Sequence, residues 1–251
     1  MKRPELVLIH GWGMNRGIWS PCLASLENVA KVRFVDLPGY GEMPDCGQSF
    51  TKTAQSLADS LPTGIILCGW SLGAMLAMQA ALLSPRRVAG LILVDGTPCF
   101  IQRDGWTAAQ SPALLRDFAA AVTQDSRTSL QRFAALFNQG DAKARPIGRE
   151  IARNVLSSSL PSTAALLAGL DGLRDVDLRQ RIVDIACPVL LIHGERDPLM
   201  PLAAARWLCE KLPQARLDVF PGAAHAPFLN DPERFARLVG GFLDALPVDT
   251  D

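Results

Sequence analysis

The pentapeptide Gly69-Trp70-Ser71-Leu72-Gly73 constrains this chain more than any other stretch. It follows the apolar run Ile65-Ile66-Leu67-Cys68 and precedes Leu72–Ala81, where apolar and small residues fall at helical spacing. A strand that passes into a helix through G-x-S-x-G turns so sharply that the serine backbone is strained. The glycines two before and two after it let strand and helix approach each other. The hydroxyl then stands at the C-terminal edge of a sheet, beside the positive end of a helix. The motif alone recurs by chance, so its weight depends on what the rest of the chain supplies.

A serine hydroxyl is a poor nucleophile without a base and an orienting acid. The chain has three histidines. His10 and His193 each close an apolar run and precede a glycine. His225 lies in Pro221-Gly222-Ala223-Ala224-His225-Ala226-Pro227, after the strand-like Leu217–Phe220. A loop suits a base that must adjust during proton transfer, so His225 is the expected base. The expected acid is Asp197, just beyond the run Pro188–Ile192. Asp95, which ends Leu91-Ile92-Leu93-Val94, competes for that role. Asp197 is favoured because its loop is polar and carries Pro198, as turn chemistry requires. Glu195 reads as a solvated loop charge. Two backbone N–H groups must meet the developing oxyanion. Leu72, after the serine, supplies one; Trp12, in His10-Gly11-Trp12-Gly13-Met14, supplies the other.

Strand-like runs near residues 5–10, 31–36, 64–69, 88–95, 187–193 and 215–220 alternate with helical patterns. That alternation predicts a mostly parallel sheet flanked by helices. Between Asp95 and Pro188 no run reads as a strand. Helical patterns cover Ala108–Thr123, Ser129–Phe137, Arg149–Leu156 and Ser162–Leu170, with Gly140, Pro146, Pro161 and Gly169 as breakers. The expectation is an α/β core, residues 1–98 and 184–251, with a helical lid, residues 99–183, inserted after the sixth strand. A lid excludes water and selects substrates.

Composition sets limits. With 25 basic and 25 acidic residues the chain has no formal net charge, which argues against a nucleic-acid partner. It lacks the ~18 consecutive apolar residues of a transmembrane helix. Met1–Glu5 leads into a strand without a signal-peptide pattern. Cys22, Cys46, Cys68, Cys99, Cys187 and Cys209 are scattered without a C-x-x-C and read as free thiols of a reducing cytoplasm. No histidine–cysteine cluster has metal-ligand spacing, so neither metal nor cofactor is expected. Charge is uneven in one place. Between Arg127 and Arg153 stand six basic residues and two acids. Arg145, Arg149 and Arg153 recur every four residues and share a face if helical, with Pro146 suited to the first turn. That face is either a solvated surface or a docking site for an acidic partner or phosphate.

The order Ser71…Asp197…His225 is that of the α/β-hydrolase superfamily, which the chain resembles over nearly its whole length. Within it the chain is similar to the family of pimeloyl-acyl-carrier-protein methyl ester esterases of biotin synthesis. The resemblance is carried by His10-Gly11-Trp12-Gly13-Met14-Asn15, Val35-Asp36-Leu37-Pro38-Gly39-Tyr40-Gly41 and Gly69–Gly73. More specific are Pro98-Cys99-Phe100 with Arg103-Asp104 and Trp106, Val176-Asp177-Leu178-Arg179, and Ala223-Ala224-His225-Ala226-Pro227-Phe228. The resemblance implies a triad of Ser71, Asp197 and His225, oxyanion donors Trp12 and Leu72, and Phe133 in an apolar substrate channel. It further implies that Arg127, Arg132, Arg145 and Arg149 dock an acyl carrier protein bearing the pimeloyl methyl ester. The expected protein is a cofactor-free cytoplasmic monomer. A general short-chain carboxylesterase or C–C hydrolase of the same fold is the alternative, and a non-catalytic binding protein is a more distant one.

Overall fold

The computed structural model describes residues 3–154 and 159–247. The first half runs β1 (Glu5–Ile9), a 3-10 turn at Arg16–Trp19, α1 (Ser20–Glu27), β2 (Lys31–Val35), α2 (Phe50–Ser60), β3 (Ile65–Trp70), α3 (Leu72–Leu83) and β4 (Val88–Val94). Four helices follow: α4 (Pro112–Gln124), α5 (Ser126–Phe137), α6 (Ala144–Asn154) and α7 (Thr163–Asp175). The chain then returns to β5 (Val189–Gly194), α8 (Leu202–Lys211), β6 (Ala215–Phe220), α9 (Pro227–Asn230) and α10 (Pro232–Asp244).

The six strands form one sheet in the order β2-β1-β3-β4-β5-β6, and every pairing is parallel. The sheet is thus fully rather than mostly parallel. Its central strands are near-continuous apolar runs because helices cover both faces, and every residue of β3 and β5 is buried. The edge strand β2 instead exposes Lys31 and Arg33, and Arg33 pairs with Glu5 across the strand boundary at 2.7 Å. Charges on an edge discourage pairing with another chain.

The expected position of the inserted helices needs correction. They follow the fourth strand, not a sixth, because no strand among the described residues precedes Glu5–Ile9. Helix boundaries shift too. The first inserted helix begins at Pro112 rather than Ala108, because Phe100–Gln110 forms bridges and turns instead. The second begins three residues earlier than expected, because Asp125 caps it by accepting from the Thr128 N–H. The third begins at Ala144, five residues before Arg149, while its expected end at Leu156 lies outside the described residues. The insertion's two ends are fastened together. Cys99 and Asp177 form an antiparallel bridge, the Leu178 N–H donates to Pro98 O at 2.8 Å, and Arg179 lies over the Trp106 ring.

Strand order positions the site. The chain adds β2 on one side of β1, then reverses to add β3 on the other. At such a switch point the loops beyond the C-terminal ends of two adjacent strands diverge and leave a crevice. Here those are the β1 loop at His10–Asn15 and the turn at Ser71. The turn is feasible only because backbones can touch. A Cβ at Gly69 would overlap the Gly73 carbonyl, and one at Gly73 would come 2.5 Å from Ile9 O and 2.6 Å from His10 O.

Gly73→Ala should therefore force backbone apart and cost about 1–3 kcal/mol, a fall of several degrees in Tm. Gly241→Ala is the control: it is exposed in α10 with no atom within 4 Å of an added Cβ. There the alanine should raise stability by ~0.5–1 kcal/mol through helix propensity. Thermal melts of the two variants beside the parent check both signs.

Candidate active site

Ser71 lies between β3 and α3 with φ 59° and ψ −118°. A non-glycine residue is rarely found at positive φ, and such strain persists only where surrounding structure enforces it. Serine at a helix N-cap usually bonds a first-turn N–H, but here the side chain makes no capping bond. The strain thus leaves Oγ uncommitted, and Ser71 is only 5% exposed. Leu72 is the first residue of α3, where a helix N–H has no intrahelical carbonyl to bond. The β1 loop runs directly alongside: a Cβ on Gly11 would lie 3.2 Å from Ser71 Cβ. Trp12 follows Gly11, so both expected oxyanion donors adjoin the serine. Trp12's side chain has its own task. Its Nε1 donates to Leu166 O at 2.8 Å, and its ring meets the edge of Phe133 with centroids 4.8 Å apart.

His225 is fully buried and tied down at four points. Its N–H donates to Phe137 O at 3.2 Å, and its carbonyl accepts from Trp70 Nε1 at 2.6 Å. Its ring packs against the Trp70 ring, 5.4 Å between centroids. Its Nδ1 donates to Asp197 Oδ2 at 2.7 Å. With the proton on Nδ1, Nε2 carries a lone pair, and that atom is buried without a hydrogen-bond partner. Asp197's other oxygen accepts from the Leu199 N–H at 2.8 Å and the Met200 N–H at 3.0 Å. Burial works against a charge on Asp197. The opposing charge and hydrogen bond of His225, then His193 and the Met200 N–H, outweigh it and hold the carboxyl below its usual range.

The remaining candidates separate cleanly. His10 donates from Nδ1 to Gly11 O and accepts from the Leu37 N–H on Nε2. His193 donates from Nε2 to Met200 O. Burial lowers the pKa of both, so each is a neutral brace for a loop. Asp95 makes no bond to His225; its Oδ1 accepts from the Gly194 N–H at 2.8 Å. Glu195 is more than a solvated charge, because its Oε2 accepts from the Gly222 N–H and braces the histidine loop. Among the described residues, Asp95, Asp197 and His225 alone bring three potential ligand atoms within 4.8 Å of one another. An ion there would replace the Nδ1–Asp197 hydrogen bond that fixes the imidazole.

Phe133 and Phe137, one turn apart on α5, join the site from above. Phe133 links Trp12 to Phe137, and Phe137 contacts both Trp70 and His225. Sequence reasoning missed Asp141, in the connection between α5 and α6. This buried carboxylate accepts from the Ala224 N–H at 2.8 Å, from Asn230 Nδ2 at 2.8 Å and from the Lys143 N–H at 2.6 Å. Beside it the Ala142 N–H donates to Gly222 O. The connection therefore holds the His225 loop on both sides. No spacing signals this, since Ala224 and Asn230 lie more than eighty residues away.

The basic residues face outward. Arg127 and Arg132 are exposed on α5, and Arg145 and Arg149 are exposed on α6. Arg145 and Arg149 line one side of a groove of about 660 Å³, with Gln131, Ala134 and Ala135 of α5 opposite. Arg153 pairs instead with Glu150 on its own helix.

A sequence profile of the alpha/beta hydrolase family matches residues 6–238. The chain belongs to the alpha/beta hydrolase family. Among curated members, the pimeloyl-(acyl-carrier protein) methyl ester esterase of Nitrosomonas europaea is 39% identical over 233 residues, covering 92% of each chain. Its counterpart from Aromatoleum aromaticum is 40% identical over 244 residues, covering 95% of this chain and 98% of its own. Among solved structures, an esterase from Exiguobacterium antarcticum superposes with a TM-score of 0.86 at 25% identity, covering 97% of this chain and 93% of that one. Among the described residues no helix is long and apolar enough to cross a membrane.

Removing the Asp141 carboxylate strands the buried Ala224 N–H. Asp141→Ala should cost about 1–3 kcal/mol and lower Tm by several degrees. A melt unchanged within a degree would show that the three bonds contribute no net stability.

Proposed function

We propose that this chain is a cytoplasmic serine carboxylesterase that hydrolyses the methyl ester of pimeloyl-acyl-carrier protein to methanol and the free acid, the reaction named for the relatives above. The observation that carries the proposal is the His225 imidazole: Nδ1 committed to Asp197, Nε2 buried and unpartnered, beside the tryptophan that precedes a strained serine. An imidazole so held is arranged to accept one proton at Nε2.

On this reading Ser71 Oγ attacks the ester carbonyl while His225 Nε2 takes its proton. Asp197 fixes the tautomer and stabilises the imidazolium. The Trp12 and Leu72 N–H groups hold the oxyanion. His225 returns the proton to methoxide, and methanol leaves. Water, activated by His225, then attacks the acyl-enzyme and releases the carboxylic acid and Ser71. No cofactor enters. The helices between residues 99 and 183 act as the lid, and the aromatic layer of Trp12, Phe118 and Phe133 lines the channel for the acyl chain. Because Ser71 and Phe133 are both buried, the lid must shift for substrate to enter. Arg127, Arg132, Arg145 and Arg149 meet the acidic carrier.

Ser71→Ala should cost on the order of 10⁴ or more in kcat with little change in Tm, and should abolish labelling by a fluorophosphonate serine probe. Asp197→Asn should also cost several orders of magnitude, because an amide fixes the wrong imidazole tautomer. Turnover above a tenth of the parent in either variant would sink the triad assignment.

Arg145→Ala with Arg149→Ala, or added salt, should lower kcat/KM for the carrier-linked methyl ester several-fold, since exposed charges act on encounter and are screened over about 10 Å at 0.1 M salt. A free short methyl ester should be nearly unaffected. Equal losses on both substrates would make the arginines structural. Equal efficiency on both substrates in the parent would favour a general carboxylesterase.

A further inference from the structure

Asp95 is a second buried acid in the site and has no part in the mechanism above. It ends β4, fully buried, and its backbone is strained at φ 43°. Oδ1 accepts from the Gly194 N–H. Oδ2 is buried and meets no N–H or hydroxyl donor. The titratable groups around it come from two loops and a strand. His193, on β5, has Nδ1 3.6 Å from Asp95 Oδ1. Asp197 and His225 each bring an atom within 4.8 Å.

Two buried carboxylates this close strongly disfavour ionising together, because like charges repel where burial weakens solvation. The charge belongs on the acid with more donors. Asp197 has three: the Leu199 and Met200 N–H groups and His225 Nδ1. Asp95 has one. Burial first, and then the Asp197 charge, push the Asp95 carboxyl well above the ordinary carboxylate range.

We infer that Asp95 is a positioning residue: at neutral pH it carries a proton on Oδ2 and donates it as a hydrogen bond to the Asp197 carboxylate. That bond would be the fourth on Asp197. It fixes the plane of the carboxylate against His225, and it lowers the carboxylate's basicity so that the Nδ1 proton stays on the imidazole. The oxygen left without a donor thereby gains an acceptor. This inference rests on the esterase reading for its kinetic test only.

The test compares Asp95→Asn with Asp95→Leu. The amide keeps a donor toward Asp197 and an acceptor for the Gly194 N–H. Leucine keeps the volume and removes both. On a small free methyl ester, Asp95→Leu should lose at least about ten-fold in kcat with KM little changed. Asp95→Asn should recover most of that loss. Equal losses in the two variants, both folded, would mean that the charge of Asp95 matters and would overturn the inference. So would full activity in Asp95→Leu.

A second measurement needs no catalysis. At pH 7 the infrared spectrum of the parent should contain a protonated-carboxyl band that Asp95→Asn lacks. Stability should follow. An acid whose folded pKa is raised holds its proton in the native state and loses it on unfolding above its ordinary value of about 4. Parent stability should therefore fall relative to Asp95→Asn as pH rises from about 4 to 7. A pH-independent difference, or no carboxyl band, would show that Asp95 is ionised and end the proposal. If the parent hydrolysed no ester at all, the esterase reading would fail while these two measurements still decided the state of Asp95.

Discussion

A carboxylate buried away from water is the constraint around which the C-terminal edge of this sheet is organised. Burying such a charge costs on the order of several kcal/mol even after relaxation. The cost is tolerable only where donors converge, and Asp197 collects two backbone N–H groups from its own turn and one imidazole from the next loop. Those donors fix much else. The turn must fold back over residues 197–200, which the Met200 carbonyl and His193 secure from below. The histidine loop must come within hydrogen-bonding distance, and it crosses β5 so closely that a Cβ at Gly194 would overlap the Ala224 carbonyl. The imidazole's tautomer then follows, since a carboxylate can only accept.

The inserted helices are part of that organisation rather than a detached cover. The Phe137 carbonyl, Asp141 and the Ala142 N–H all bond the loop that carries His225. On the other side, α7 receives the Trp12 indole at Leu166 and leaves space for it only because residue 169 is glycine, where a Cβ would come 2.6 Å from Trp12 Cδ1. A rigid swing of α5 away from the sheet would break the histidine loop's supports. Phe118 and Phe133, by contrast, join this layer through apolar packing and ring contacts with Trp12.

What the sequence could signal is what the fold forces to converge. In a parallel sheet every strand ends at the same edge, so residues just past the ends of neighbouring strands can meet whatever their separation in sequence. Asp197 follows β5 and His225 follows β6, adjacent strands, and the two side chains meet in a 2.7 Å hydrogen bond, while Ser71 follows β3 at the same edge. The choice of Asp197 over Asp95 as partner of His225 was legible from turn chemistry, because the same Pro198 turn presents the two N–H donors. Asp141 was not legible, because the Ala224 N–H and the Asn230 amide reach it only through tertiary packing. Neither was the state of Asp95, which depends on counting donors in three dimensions. Helix starts were misjudged where a cap, Asp125, stood outside the hydrophobic pattern.

The same helices divide their faces between two environments. On α5, Phe133 and Phe137 point to the histidine and Trp12, while Arg127 and Arg132 are exposed. On α6, Ile147 and Ile151 are buried and Arg145 and Arg149 are exposed. One helical layer, about 10 Å thick, therefore separates a basic surface from the buried serine. A bulky ester held close to its carrier could not bring its carbonyl across that layer. A linear acyl chain with the ester at its far end could, and its methylenes would contact the aromatic residues while the carrier stayed outside. On the proposed reading, the thickness of the layer selects for a substrate whose reactive end lies far from its point of attachment, and the arginines on the outer face set where that attachment sits.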